Sequence, residues 1–531
     1  MSEPTATKVP RLYIASDLHL AEGLDPRTRR YARLEGFFYD EEFASFLAKC
    51  TADAGSEPAV LILNGDVFDF LSCLHLPSPP ERKELGFGVS GYERKYGLAS
   101  SEQKAVWKLE QILRGHPGFF TALVRWMAAG HRLVLIRGNH DLELFWPAVR
   151  WRLVEHLVTL IDAAGGGLTP DELRARFEHR DWFYYEEGRI FVEHGHQYEE
   201  SNCVPNLLYP VFPRNPAGGH DPVLDYPAGS WFLQIVFNRL RVIDPIRTKI
   251  ITGDEYGRLV TRSRLLEYGV ALGRHLPFML RMAREFQRYE QEGTQVRERH
   301  RQAVHELAAQ TGLGDRLWKV DGLKARGATD TNHMVAGKLL GPVIWKGVLA
   351  VAAVVLGMSA FFGVMNWLPS SGLPRALSVL LSSVVGVGTF LGAAFLTVYL
   401  SRQQRDEGVA HAHQFRDAAV RVARVLGVRV VVMGHTHLPD YYHAPVSNFT
   451  YVNSGTWTFV RRDENIIKPN AHSFTFVRVV GDEAELLRWS DLAERFEPVV
   501  LLTPDRPRMV ERIMGKVRST VRPPVVRGGA R

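Results

Sequence analysis

Five short stretches of this 531-residue chain place aspartate, asparagine or histidine directly after an apolar run. Oxygen and nitrogen donors without thiolate suit Mn²⁺, Fe, Zn²⁺ or Mg²⁺, and two ions about 3.5–4 Å apart can share one carboxylate. The set therefore predicts two divalent metal ions, with manganese favoured. The stretches are DLH with Asp17 and His19, GDVFD with Asp66 and Asp69, GNHD with Asn139, His140 and Asp141, EHGH with His194 and His196, and GHTH with His435 and His437.

Each motif taken alone also has a plain explanation as a turn. Asp-x-His and Gly-Asp are common where a strand ends, because short polar side chains bond to nearby backbone groups. A single Gly-x-His pair carries little information. Turn chemistry does not explain why five apolar runs all end in ligand types, so a shared metal site is favoured.

The apolar runs before the motifs are typical of β-strands, since they are short and rich in β-branched and aromatic residues. Ligands in sheet proteins gather at strand ends, where short loops converge. A helix is predicted over 406–427 and a strand hairpin around Gly481 and Asp482. The predicted strands lie within residues 11–16, 59–64, 131–141, 189–197, 430–440 and 449–457, the last without a metal-ligand type.

The five motifs, in this order, resemble the calcineurin-like metallophosphoesterase superfamily. The resemblance covers about residues 8–200 and 410–490 and not the middle. It implies an α/β fold, a layered sandwich of two sheets flanked by helices, and a metal-dependent phosphoric ester hydrolase. The stretches IASDLHL and GDVFDF are distantly similar to UDP-2,3-diacylglucosamine pyrophosphohydrolases. Those enzymes are smaller and carry Arg where His140 stands, so their substrate does not carry over.

The same resemblance implies a role for each ligand. One metal would be held by Asp17, His19 and His437, and the second by Asn139, His194 and His435. Asp66 would bridge the two. A hydroxide between the metals would attack phosphorus in line with the leaving oxygen, while the ions neutralise the phosphoryl oxygens.

His140 matches the family position of the proton donor to the leaving group, with a purely electrostatic contact as the alternative. Asp141 is expected to hold its ring, and Asp69 to order its loop. Side chains two apart in an extended segment face the same way, so His194 and His196 could both reach the site.

On the substrate side, His196 is expected to contact phosphate or to be a satisfied loop histidine. Asn202 is a further candidate for substrate binding, as are Gln197 and Tyr198.

The middle of the chain contains two apolar stretches, 347–374 and 376–401, without a charged residue. Each exceeds the ~20 residues that a helix needs to cross a ~30 Å hydrocarbon core. The turn signal PSSGLPR separates them. We predict a hairpin of two transmembrane helices, with a pair of buried core helices or an apolar dimerisation arm as alternatives.

Charges beside the hairpin predict its orientation. Lys338, Lys346, Arg402 and Arg405 lie outside the two apolar stretches, whereas the turn between them holds only Arg375. Positive residues favour the cytoplasmic side. Two crossings also return the chain to its starting side, which lets ligands from before and after the hairpin meet. A multi-pass membrane protein with its catalytic domain on the cytoplasmic face is therefore expected.

Length and composition complete the domain plan. A net charge of +7 is compatible with an anionic partner without identifying it, and three dispersed cysteines without CxxC favour a reducing compartment. The N-terminal sequence does not resemble a secretory signal. The predicted segments are 8–230 and 402–500 as the two parts of the metallophosphoesterase domain, 231–342 as a helical insertion, 343–401 as the hairpin and 501–531 as a basic tail.

The functional prediction is a membrane-anchored dimetal phosphoesterase that cleaves a phosphoester or pyrophosphate of a lipid-linked or nucleotide substrate. A soluble-nucleotide phosphodiesterase or phosphatase that is merely tethered is one alternative. A non-catalytic membrane scaffold is another, although such a protein should have lost at least one of the seven ligands and this chain keeps all of them. No clear nucleic-acid partner is indicated, because no aromatic platform accompanies the basic segments.

Overall fold

The computed structural model of this chain describes residues 9–212, 221–235, 238, 293–325, 413–444, 448–458, 473–499 and 501, with scattered positions between 358 and 392. All residues of the five motifs fall within these ranges. The predicted helical insertion is described in part. The basic tail lies outside the described residues except for residue 501, which belongs to a second unit, Val500–Arg531. All elements below belong to Met1–Val499.

One mixed β-sheet combines strands from both ends of the described chain. Its strands are β1 (Arg11–Ala15), β4 (Ala59–Asn64), β5 (Arg132–Ile136), β6 (Phe177–Arg180), β14 (Thr475–Val480), β15 (Glu483–Ser490) and β16 (Arg495–Pro498). They lie in the order β16-β15-β14-β1-β4-β5-β6. Strands β1, β4, β5 and β6 are parallel, so their carboxyl ends share one edge, and the other three continue the sheet in antiparallel fashion.

A second sheet is built around the strands that flank the middle of the chain. Its strands are β7 (Phe183–Glu186), β8 (Ile190–Glu193), β11 (Val430–Met433), β12 (Asp440–Ala444) and β13 (Phe449–Asn453). The order is β12-β13-β11-β8-β7, with β8, β11 and β13 parallel. Strands β8 and β11 are thus neighbours although more than 230 residues separate them in sequence.

The two sheets pack face to face. In β1, Leu12 and Ile14 point into an aliphatic core shared with the second sheet, whereas Tyr13 and Ala15 point to the opposite face. This alternation follows from the two-residue period of a strand. Because both faces are covered, the strands are almost continuously apolar, which explains why their sequence signal is strong.

Helices cover the outer faces of both sheets, so the described chain has the predicted layered α/β architecture. The first sheet is covered by α1 (Asp40–Ala54), α4 (Glu102–Gly115), α5 (Pro117–Ala128), α6 (Pro147–Thr159) and α7 (Pro170–Arg176). The second is covered by α9 (Thr294–Gln310), α10 (Asp315–Asp321) and α11 over 413–426. Smaller elements are α2 (Pro79–Leu85), α3 (Gly91–Tyr96), α8 (Ala228–Ile235) and the paired strands β2 (Leu24–Asp25) with β3 (Arg30–Tyr31) and β9 (Val211–Phe212) with β10 (Val223–Leu224).

The local predictions hold with two adjustments. Strands β14 and β15 form the expected hairpin, in which Gly481 adopts a φ of 58°. The helix predicted over 406–427 is described over 413–426. The strand predicted within 189–197 ends at Glu193, because Gly195 has a φ of 103° and His196 starts a short 3-10 helix. The assumption of an extended segment through His196 is therefore wrong.

The predicted hairpin over 343–401 lies largely outside the described residues. Its scattered described positions are mostly helical. Within the part of the chain that the structure describes, no helix is both long and apolar enough to cross a membrane.

Candidate metal centre

The carboxyl ends of five parallel strands, from both sheets, meet at one buried point. The loops after β1 and β4 bring Asp17 and Asp66, and the loop after β5 brings Asn139. The loops after β8 and β11 bring the histidines from the facing sheet. All seven predicted ligands are at most 2% exposed: Asp17, His19, Asp66, Asn139, His194, His435 and His437.

Asp17, His19 and His437 form a first group of possible metal ligands. Nε2 of His437 lies 3.1 Å from Oδ1 of Asp17 and 3.0 Å from Nε2 of His19. Two ligands with metal bonds of about 2.1 Å at a right angle stand about 3 Å apart, so these separations suit one ion.

Asp66, His194 and His435 form a second group. Nδ1–H of His194 donates to the carbonyl oxygen of Asn64 at 2.9 Å. That bond leaves Nε2 as the ring nitrogen with a lone pair, and Nε2 lies 3.2 Å from Oδ2 of Asp66. The carbonyl of Asn64 therefore fixes the tautomer in which His194 can bind a metal.

Asp66 stands between the two groups. Its Oδ2 is 3.2 Å from Nε2 of His194 and 3.8 Å from Nε2 of His19. Its Oδ1 accepts the backbone N–H of His140 at 2.8 Å. This position is the one that a bridging carboxylate requires.

Unpartnered polar atoms test whether these residues fit metal ions. Among the described residues, Oδ1 of Asp17, Oδ1 of Asn139 and Nε2 of His194 are buried without a hydrogen-bond partner. An unsatisfied buried polar group costs about 1–3 kcal/mol, so several in one place require an explanation. Divalent ions would satisfy all three, and the donor set of carboxylate, amide and imidazole matches their preferences. The residues present therefore fit the metals that the motifs predict.

The backbone of these loops is strained at the ligands themselves. A positive φ is uncommon for residues other than glycine and costs on the order of 1–3 kcal/mol. The strained ligands, with their φ angles, are Asp17 (56°), His19 (54°), Asp66 (50°), His435 (69°) and His437 (58°). Backbone bonds from Asp17 N–H to Gly65 O and from His19 N–H to Asp66 O, at 3.1 and 2.9 Å, hold two of these loops together.

Two motif glycines allow the loops to approach one another. A Cβ atom on Gly138 would lie 2.2 Å from Oδ1 of Asp66. A Cβ atom on Gly434 would lie 2.4 Å from Oγ of Ser16 and 2.7 Å from Oδ2 of Asp17. Glycine is needed at both positions because any side chain would displace a candidate ligand.

The electrostatics of the centre keep its carboxylates ionised. Burial alone would raise the pKa of Asp66, but the imidazoles of His194 and His140 outweigh it and hold that pKa well below its usual range. Burial would lower the pKa of His194, but Asp66 and Asp17 raise it to about 9. Burial, with His140 next in size, lowers the pKa of His19 to about 3.

The carboxylate that the structure places at the ring of His140 is Asp69. Its Oδ1 lies 3.2 Å from Nδ1 of His140, and the same carboxylate also accepts from the backbone and hydroxyl of Ser72. Asp69 therefore orders its loop, as expected, and also contacts the ring.

Asp141 was expected to hold that ring, and the geometry corrects this. Its carboxylate accepts the backbone N–H of Gly138 at 2.6 Å and of Val67 at 2.9 Å. Asp141 thus joins the loops after β4 and β5. Burial, with Asp66 next in size, raises the pKa of Asp141 to about 7.

The four substrate-side candidates differ in position. The ring of His196 is buried with its centroid 5.3 Å from that of His194. Nδ2 of Asn202 donates to Oε2 of Glu199 at 3.0 Å. Tyr198 donates its hydroxyl to Glu193, and Gln197 accepts from the thiol of Cys203 at 3.3 Å. His196 therefore lies beside the centre, with its Nε2 at 2.8 Å from Nε2 of Gln197, whereas Asn202 and Tyr198 contact the carboxylates of Glu199 and Glu193.

Sequence reasoning missed Glu199 and the NSGTW stretch after β13. The carboxylate of Glu199 contacts Nε2 of His435. Asn453 donates to the carbonyl of Gly434 at 2.7 Å, and Thr456 donates its hydroxyl to the carbonyl of Asp17 at 2.8 Å. The available signals were an acidic residue five positions after His194 and a polar run at the end of the sixth strand.

Comparison with protein families agrees with this geometry. A two-sheet α/β sandwich with clustered Asp, Asn and His at its strand ends defines a metal-dependent hydrolase. Residues 10–231 match the model of the calcineurin-like phosphoesterase family. That match includes four of the five motifs, and the fifth, GHTH, completes the centre from farther along the chain. The match of residues 10–231 to a calcineurin-like phosphoesterase domain indicates a metal-dependent phosphoesterase. No curated protein matches the chain, so the similarity to UDP-2,3-diacylglucosamine pyrophosphohydrolases remains a prediction.

Proposed function

We propose that the protein is a membrane-anchored phosphoesterase with two metal ions, acting on a phosphoester or pyrophosphate bond of a lipid-linked molecule. The observation that carries the catalytic part is the convergence of buried carboxylate, amide and imidazole donors on Asp66. The membrane part rests on the apolar segment and on where that segment joins the catalytic domain.

In this proposal Asp17, His19 and His437 hold one divalent ion and Asn139, His194 and His435 the other, with Asp66 shared. When bound, the ions would activate water and neutralise charge on phosphate, and Mn²⁺ is the favoured ion. The carboxylates are ready for this role because their pKa values lie below the usual range.

His140, His196 and Asn202 are the residues that contact the substrate in this proposal. His140 donates a proton to the leaving oxygen, and Asp69 orients its ring. The side chain of His140 is 11% exposed, which gives it more access to solvent than the ligands around it. His196 and Asn202 contact the phosphate from the loop that follows β8.

The described residues that flank 326–412 on both sides lie beside this centre. The chain leaves at Ala325, whose N–H donates to the carbonyl of Gln197 at 2.8 Å and whose carbonyl accepts from the thiol of Cys203 at 3.0 Å. It returns at Gln414, whose side chain donates to the carbonyl of Tyr198. The next residue, Phe415, has its ring centroid 6.0 Å from that of His435.

This attachment supports a substrate that reaches the centre from a membrane surface. An enzyme held beside a bilayer meets lipid-borne substrates at high local concentration. Several large apolar side chains exposed in one segment favour a membrane or protein contact. The described positions of the segment with large apolar side chains 41–66% exposed are Met358, Phe362, Trp367, Leu377, Leu380, Leu381 and Val384. Two crossings, with the catalytic domain on the cytoplasmic face, complete the proposal.

The catalytic part is tested with the full chain in detergent, loaded with Mn²⁺ and assayed for p-nitrophenol release from aryl phosphates. Asp66→Ala is expected to fall to background because both groups lose a ligand. Asp171→Ala, at an exposed position of α7, is the matched control and should keep wild-type turnover. Unchanged turnover of Asp66→Ala would remove the mechanism.

The substrate part is tested by comparing a phospholipid-linked phosphoester in mixed micelles with cyclic and linear nucleotides at equal concentration. A higher kcat/KM on the lipid-linked substrate is expected. Preference for nucleotides would favour the tethered nucleotide phosphodiesterase instead. Two bound ions without turnover of any phosphoester would favour the scaffold.

A further inference from the structure

Glu199 is an acidic side chain at the centre that belongs to none of the five motifs. Its carboxylate contacts Nε2 of His435 and accepts from Nδ2 of Asn202 at 3.0 Å and from Oγ of Ser201 at 2.9 Å. The side chain is 19% exposed. Glu199 therefore connects a candidate metal ligand on the second sheet to the loop that carries a candidate substrate residue.

The contact decides which nitrogen of His435 can reach a metal. An imidazole ligand binds with one ring nitrogen, and the hydrogen bond at the other nitrogen sets its tautomer. Glu199 engages Nε2, so Nδ1 is the nitrogen that His435 offers to the group with Asp66 and His194.

His194 is fixed in the opposite sense. Its Nδ1–H is taken by the carbonyl of Asn64, and its Nε2 faces Asp66. The two histidines of one group thus offer different ring nitrogens, each selected by a different partner. For His194 the partner is a backbone carbonyl, whereas for His435 it is a carboxylate.

We propose that Glu199 is a positioning residue for the second metal: it accepts the Nε2–H of His435, fixes the ring and makes Nδ1 a stronger ligand. This proposal rests on the proposed two-metal centre. It also gives a reason why the strained loop at His435 keeps one ring orientation. The backbone N–H of His435 bonds to Oδ2 of Asp17 at 2.9 Å, which fixes the main chain and not the ring.

The test measures metal binding by isothermal titration and by metal content, with the full chain in detergent. Glu199→Ala is expected to bind one of two Mn²⁺ ions about 10–100-fold more weakly, the usual effect of losing such a partner. The other ion should keep its affinity within about twofold, since the imidazole that Glu199 orients belongs to the second group. Glu200→Gln, at the adjacent exposed position, is the matched control and should match wild type.

A double-mutant cycle shows whether Glu199 acts through His435. In a His435→Ala background, Glu199→Ala is expected to change metal binding no further. An additional loss there would mean that Glu199 binds the ion itself and would overturn the positioning role. Equal weakening of both ions, or unchanged affinities in Glu199→Ala, would overturn it as well.

Failure of the larger proposal gives a different result. Wild-type protein that binds no divalent ion would remove the metal centre, whereas two tight ions in both wild type and Glu199→Ala would remove only the role of Glu199. Melting temperatures of the metal-free proteins, expected to agree for wild type and Glu199→Ala, separate a ligand effect from a folding effect.

Discussion

The two halves of the centre are built from the same residue types in opposite electrostatic surroundings. In the first group, Nδ1 of His19 is buried without a hydrogen-bond partner among the described residues, and burial with His140 lowers its pKa to about 3. In the second group, Nδ1 of His194 is bonded to a carbonyl. Burial opposes protonation of His194, but Asp66 and Asp17 raise its pKa to about 9.

One buried centre therefore contains two kinds of histidine ligand. His19 is neutral near pH 7, so an ion that binds this ring does not have to displace a second proton from it. His194 is protonated near pH 7, so an ion entering the second group must displace its proton. The imidazoles of the second group also have hydrogen-bond partners, which hold the orientation of the rings.

Displacing the carboxylate of Asp66 should disrupt both groups, because both of them share it. Gly138→Ala places a Cβ atom 2.2 Å from Oδ1 of Asp66. We expect both ions to be lost and hydrolysis to fall by about 100-fold or more, the effect of a misplacement of about 1 Å. Metal content and kcat measure the effect. Gly88→Ala is the control because a Cβ atom there meets nothing within 4 Å. Retention of two ions in Gly138→Ala would contradict the shared role of Asp66.

A pH series should separate the two groups. Below a pKa of about 9, metal and proton compete for His194, so affinity of the second group should rise about tenfold per pH unit from pH 6 to 8. His19, with its pKa of about 3, should add no dependence over this range. His437→Ala, which keeps the second group, and His435→Ala, which keeps the first, allow each to be titrated with Mn²⁺. Equal slopes in both variants would refute the difference.

At pH 9, close to the pKa of His194, competition with protons weakens metal binding only about twofold, and the hydrogen-bond partners of the rings should dominate. The second group is then expected to hold its ion about tenfold more tightly, because Asn64 and Glu199 position its imidazoles. Stepwise removal of Mn²⁺ with a chelator should empty the first group first. The same two single-group variants assign each step, and emptying of the second group first would show that ring partners contribute little.

A hydrogen bond from Thr456 to the backbone of Asp17 supports the first group. Thr456→Val removes the hydroxyl that donates to the carbonyl of Asp17 and should destabilise the metal-free protein by about 1 kcal/mol. Affinity of the first group should fall a few-fold, with the second unchanged. Thr456→Ser keeps the hydroxyl and should behave as wild type in thermal unfolding and Mn²⁺ titration.

The sequence was sufficient to predict which residues gather and insufficient to predict what holds them. Strands buried on both faces give continuous apolar runs, so the residues that follow β1, β4, β5, β8 and β11 stand out as strand-end positions. The layered α/β fold follows from the same runs and from the family resemblance they carry.

The hydrogen-bond partners of the histidine rings could not be predicted from the sequence in this way. They depend on the directions of side chains in loops with positive φ. Asp69 rather than Asp141 lies at the ring of His140, although Asp141 is adjacent in sequence. The two-residue period failed at His196 because Gly195 ends the extended segment. Glu199 belongs to none of the five motifs, and its partner His435 lies in the loop after β11, more than 230 residues farther along the chain.

The positions of residues 325 and 414 show how the hydrolase could accommodate the insertion between them. Residues 325 and 414 bond to the carbonyls of Gln197 and Tyr198, which are neighbours in sequence, so the two described ends that flank 326–412 lie close together. A short Gly/Ser linker could therefore replace 326–412 without stretching the hydrolase. An insertion with adjoining ends can be gained or removed in a single genetic event, which would let one catalytic unit exist with and without residues 326–412.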